Sequence, residues 1–138
     1  MTQHIDRHYD AELKQLSDNL LKMGGLVEEM IARAIKALIE RESVLADDVL
    51  SKDRAVDKLE TEIDDLCLQM IARRQPTGSD LRFITIGLPA STDLERIGDL
   101  AVNIAEESAV INREPQLKPY IDLPKVAAET QQMVKKAL

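Results

Sequence analysis

Apolar residues near the start of the chain fall at Tyr9, Leu13, Leu16, Leu20, Met23, Val27, Met30, Ala34 and Leu38, in steps of three and four. That spacing lays one stripe along a helix of roughly 35 residues, about 50 Å long, from Ile5 to about Arg41. Gly24 and Gly25 interrupt it at a cost of about 1 kcal/mol each relative to Ala, and close approach by a neighbouring helix is the expected compensation. A second periodic stretch, Ala46 to Arg74, carries Leu45, Val49, Val56, Leu59, Ile63, Leu66 and Met70 on one face. Gln75-Pro76-Thr77-Gly78 ends it, because a residue before proline avoids helical geometry.

Ser79 then suits an N-cap and Asp80 a first helical turn, for a third helix reaching about Asn112. Its apolar face is expected from Phe83, Ile86, Ile97, Ala101 and Ile104. Pro89 lies inside it and should kink it, since proline has no N–H for the Thr85 carbonyl. Pro115 and Pro119 mark residues 113–121 as a linker, and Asp122 followed by Pro124 starts a last helix running to Leu138. Leu123–Leu138 aligns with Leu20–Ile35, pairing Leu123 with Leu20, Lys125 with Lys22, Met133 with Met30 and Ala137 with Ala34. The last segment therefore resembles a second copy of the first helix. The fold class is all-α: an elongated antiparallel three-helix bundle over 1–112, the linker, and in 122–138 the first helix of an incomplete second repeat.

Composition agrees. Trp is absent, Phe83, Tyr9 and Tyr120 are the only aromatics, and Gly and Pro number 5 each, which suits long helices with few turns. The net charge of −7 disfavours nucleic acid and anionic lipid surfaces. No apolar run approaches the roughly 18–20 residues of a spanning helix. With a single cysteine, Cys67, and no leader-like start, a cytoplasmic protein is expected. Cys67 has apolar neighbours and fits a core position.

The candidate chemistry is carboxylate. Asp53, Asp57, Glu60 and Asp64 follow i, i+4, i+7, i+11, within an arc of roughly 60° on the second helix. Ala46, Leu50, Leu68 and Ile71 continue the same arc, so acids replace apolar residues along a stripe. On the third helix Glu95, Asp99, Asn103 and Glu106 share an arc with Ile84, Leu88 and Val102. Two such rows on adjacent helices would make an all-oxygen site for Mg, Ca, Mn or Fe, less so for Zn. The alternative is an acidic face neutralised by Lys and Arg. His4 and His8 have chelating spacing but sit near a terminus. No Glu-x-x-His pair of a ferritin-like di-iron oxidase follows the acids, and Ser91 has no histidine to activate it, so no catalytic constellation is present and no enzyme is expected.

Three runs carry a likeness: Asp53-Arg-Ala-Val-Asp57-Lys-Leu-Glu60-Thr-Glu-Ile-Asp64, Ala72-Arg-Arg-Gln-Pro76 to Arg82, and Asp93-Leu-Glu95-Arg-Ile-Gly98-Asp99-Leu-Ala-Val-Asn103. Over about residues 5–110 the chain resembles the first half of the PhoU family of phosphate-signalling regulators. The resemblance implies two three-helix bundles in tandem whose E/D-x-x-x-D motifs hold metal, including multinuclear iron clusters, with Mn, Mg, Ca and Zn as alternatives. It points to Asp57, Glu60, Asp64, Glu95, Asp99 and Asn103 as metal-side positions, with Asp53 and Glu106 as outlying additions. It implies a cytoplasmic, non-enzymatic adaptor, a negative regulator of the phosphate-starvation response that links a sensor histidine kinase to the ATP-binding subunit of the phosphate transporter. Pro89, and the single repeat where the family has two, are departures from the pattern. The apolar residues of 122–138, lacking a bundle of their own, predict a homodimer or higher homo-oligomer through the fourth helix. The alternative function is a purely structural helical interaction module with no physiological metal.

Overall fold

A computed structural model describes residues 7–138; His4 lies outside them. Four helices follow in order: α1 (Arg7–Ile39), α2 (Leu45–Arg74), α3 (Gly78–Ile111) and α4 (Leu123–Ala137). The first three form an up-down-up bundle, each packing on the other two, and α4 packs on α1 alone. The α1 stripe is buried from Tyr9 to Ala34, with Leu16, Met23, Val27 and Met30 excluded from solvent. From α2 the core takes Val49, Val56, Leu59, Ile63, Cys67 and Met70. Each fully buried large side chain contributes about 1.5–3 kcal/mol.

The turn between α2 and α3 is made by Gln75, left-handed at φ 46, and Gly78 at φ +59. α3 starts one residue before the expected Ser79, with Thr77 as N-cap and no side-chain hydrogen bond at the cap. The helix continues through Pro89. Just beyond the proline, Ser91 Oγ, fully buried, donates to the Leu88 carbonyl at 2.8 Å. At the far end of the bundle Arg41, also left-handed at φ 58, donates from Nη2 to the backbone carbonyls of Asn112 (3.1 Å) and Glu114. Asn112 Nδ2 returns to the Ala37 carbonyl (3.0 Å) and Ser43 Oγ (3.1 Å). These bonds tie the α1–α2 turn to the end of α3.

α3 differs from the expectation. Its buried line is Ile84, Gly87, Ser91, Leu94, Gly98, Ala101, Ala105 and Ser108, mostly small residues. Of the expected apolar face only Ala101 is buried, while Ile86 is 60% and Ile104 38% exposed. Small residues bring α3 close to its neighbours: a Cβ on Gly87 would stand 3.4 Å from Leu20, and one on Gly98 3.5 Å from Met30. The packing selects against bulk, so the larger residues lie on α3's outer flank.

That flank forms one wall of an apolar groove of about 610 Å³, floored by Ile31 and Ile35 of α1 and closed on the other side by α4. α4 runs antiparallel to α1, with Gln131 Nε2 donating to the Glu28 carbonyl at 3.0 Å and Leu138 seated over Gly24. Gly24 thus has the close neighbour expected of it. Gly25 has nothing within 4 Å of where a Cβ would stand. Residues 112–122 contain no helix.

Candidate metal centre

The α2 acids sit on the flank of that helix that turns toward α3. Gly98, in the small-residue seam, lets the two helices approach there, and a Cβ at that position would lie 3.7 Å from Asp53 Oδ1. Antiparallel packing then brings the start of the α2 row to the middle of the α3 row. Asp53, Asp57 and Asp99 each offer an oxygen, and these oxygens all lie within 4.8 Å of one another. Glu95 lies one turn before Asp99, and Glu60 follows Asp57 by three residues, close to one turn, on the same flank. Asp53, Glu60, Asp64 and Glu95 are half-buried, while Asp57 and Asp99 are exposed.

The electrostatics are those of carboxylates crowded together. Burial raises the Asp53 carboxyl above its ordinary range, and the charges of Asp57 and Asp99 add to the effect. Burial also raises Glu60, reinforced by Asp64, Asp57 and Asp99. Glu95 is pushed up to about 7, first by burial, then by a hydrogen bond with Asp99, then by the charges of Asp99, Glu60 and Asp57. The charges that raise these three groups are all negative. Asp53 Oδ1 and Glu60 Oε2 are buried without a hydrogen-bond partner, an arrangement that costs about 1–3 kcal/mol or more for each group left so. Oxygen donors only, two of them orphaned, fit a hard or oxophilic cation.

The structure thus joins Asp53, Asp57 and Asp99 most closely and sets Glu60 and Glu95 within their field, with Asp64 acting on Glu60. Asp53, an outlying position in the sequence reading, is one of the three that converge. Its signal was the i, i+4 relation to Asp57, and its partner on α3 was hidden by the unknown helix register. Asn103 and Glu106 are exposed, one and two turns beyond Asp99. Because α2 and α3 are antiparallel, each turn past Asp99 leads away from the α2 acids toward Leu50. Cys67 is fully buried, and its thiol is pushed up to about 11 by burial and then by Asp64. It is a core residue and not a nucleophile at neutral pH.

The fold and the site define the class: an all-α bundle domain with carboxylate rows on two neighbouring helices. The model of the PhoU domain matches residues 20–108, and the chain belongs to the PhoU family. It is 39% identical over 139 residues to a phosphate-specific transport system accessory protein PhoU homolog of Pseudomonas putida, covering 100% of this chain and 54% of that protein. The corresponding Escherichia coli protein is 36% identical over 135 residues, covering 97% of this chain and 56% of its own length. The crystal structure of PhoU from Pseudomonas aeruginosa superposes with a TM-score of 0.88 at 38% identity, over 94% of this chain and 62% of that one. The chain therefore spans little more than half the length of these relatives. Among the described residues no helix is long and apolar enough to cross a membrane.

Proposed function

We propose that this chain is a cytoplasmic, non-enzymatic adaptor of a phosphate transport system that binds metal at the α2–α3 carboxylates and acts through protein contacts. The observation that carries the reading is the convergence of Asp53, Asp57 and Asp99 with buried, unpartnered oxygens beside them, on a chain of this family. Asp53, Asp57, Glu60, Asp64, Glu95 and Asp99 would hold the metal; Asn103 and Glu106 would extend the site along α3 for a cluster of more than one ion. Iron leads, with Mn, Mg, Ca and Zn as alternatives. A bound cation supplies positive charge where α2 and α3 accumulate negative charge, and so fixes the two helices to each other. In this reading the adaptor restrains the phosphate-starvation response. Its partners are a sensor histidine kinase and the ATP-binding subunit of a phosphate transporter, and it self-associates through α4.

Elemental analysis of the purified protein after exposure to Fe, Mn, Mg, Ca or Zn tests the metal part. The wild type should retain metal through gel filtration, and Glu95→Ala and Asp99→Ala should retain little. Equal retention in all three would remove the carboxylates from the site. No retention by any of them would favour the structural module, in which the acidic rows meet basic partner surfaces.

A further inference from the structure

Glycine weakens a helix interior, so one placed there needs a reason, and the backbone gives none at Gly98, which lies within α3 and has no positive φ. The reason is space. A Cβ at Gly98 would stand 3.5 Å from Met30 Cε, 3.6 Å from Met30 Sδ and 3.7 Å from Asp53 Oδ1. At Gly87, the other glycine of the seam, the nearest atoms all belong to Leu20 and Leu16, at 3.4 to 3.7 Å. Both glycines admit α1, but at Gly98 a carboxylate of α2 shares the opening. A methyl fits there at ordinary contact distance. The two γ carbons of a valine, about 1.5 Å further out, would press on Met30 and Asp53.

Those two neighbours differ in where they can go. Met30 is excluded from solvent and enclosed by the core. Asp53 is half-buried at the surface, and its Oδ1 is buried without a hydrogen-bond partner. Turning outward returns that oxygen to water. Bulk at position 98 therefore displaces Asp53 and leaves Met30 in place. We propose that Gly98 is the positioning residue of the carboxylate site: its missing side chain opens the pocket that holds Asp53 against α3, with Met30 on the core side and Asp57 and Asp99 on the outer side. The role rests on the metal reading above and deepens it, because a residue with no ligand atom decides whether the three aspartates converge. Gly98 immediately precedes Asp99 and follows Glu95 by three residues. The turn of α3 that offers two carboxylates thus also makes room for a third, from α2.

Equilibrium dialysis of the full chain against Mn(II), and against Fe(II) without oxygen, tests this when read by elemental analysis. Gly98→Val should raise the metal Kd at least about tenfold. Gly98→Ala, which fits, and Gly87→Val, which loads the same seam away from Asp53, should each stay within about threefold of wild type. Asp53→Glu, at a surface position where folding is safe, keeps the charge but overfills the pocket and should also lose about tenfold. A second readout needs no metal. In chelator, the shifts in urea midpoint from Gly98→Val and Asp53→Ala should not add, since valine has already turned Asp53 out, whereas those from Gly87→Val and Asp53→Ala should add. Wild-type affinity in Gly98→Val or Asp53→Glu overturns the pocket and leaves the carboxylate site standing. Equal losses in Gly98→Val and Gly87→Val, or additivity at position 98, reduce Gly98 to general packing and overturn the role as well. A wild type that takes up neither ion overturns the carboxylate site, and this role with it.

Discussion

The two outer flanks of α3 are both unfinished, in different ways. Toward α2 it carries Glu95 and Asp99, which crowd negative charge against Asp53 and Asp57. Toward α4 it carries Leu100 and Ile104, exposed beside a groove. The first imbalance is electrostatic and concentrated in a few oxygens, which one ion would be enough to neutralise. The second is spread over area and needs a surface of matching length. Between the flanks the small-residue seam holds α3 against α1 and α2, and that seam does not depend on either completion.

Substitutions along these three faces should therefore rank clearly. Met30→Ala removes a fully buried side chain next to Gly98 and should cost about 2–5 kcal/mol in urea unfolding, whereas Leu100→Ala, measured on the monomer, should lie within about 0.5 kcal/mol of wild type. Equal costs would mean that the groove wall belongs to the core. Metal should stabilise the folded chain by about 2.7 kcal/mol at a hundred times its Kd, and Asp99→Ala should abolish the gain. A gain that survives Asp99→Ala would place the ion elsewhere.

The pH dependence of the metal-free protein sharpens the same contrast. Native Glu95 is raised to about 7 from an ordinary 4.5, so between these values the folded state holds a proton that the unfolded chain has released. The Glu95 contribution then makes stability fall as pH rises across that window, with the penalty complete above about 7. Melting temperatures in chelator at about pH 5 and about pH 8 should show a larger drop for the wild type than for Glu95→Gln, whose side chain cannot ionise. Identical drops would separate Glu95 from the strain at the site. The smallest effect is expected from Asp57→Asn in chelator: a gain of a few tenths of a kcal/mol from removing like charge on an exposed position.

The α1 stripe was legible from spacing because large apolar residues at a helical period face the core, as Leu16, Met23 and Met30 do. The same logic misassigned α3. A seam of Gly87, Ser91, Gly98 and Ser108 has little hydrophobic signal, and the residues with the strongest signal lie on the outer flank. Periodicity detects faces but does not say which of two faces goes inside when the inner one is built for close approach. The two carboxylate rows were visible as rows. Which acids meet was not, since that depends on the α2–α3 register set by Gln75, Gly78 and the contact at Gly98, none of which announces an offset. Asp53 accordingly moved to the centre and Asn103 and Glu106 to the periphery.

Arg41 and Asn112 lie far from both flanks along the chain, yet their bonds fasten the α1–α2 turn to the first residues after α3. The linker consequently leaves the bundle from an anchored point and in a fixed direction. A swivel at that junction would let the last helix sample many positions and dilute its encounter with any groove. Clamped by a guanidinium on two carbonyls, the exit fixes where the linker starts, and the contacts of Gln131 and Leu138 with α1 then seat α4.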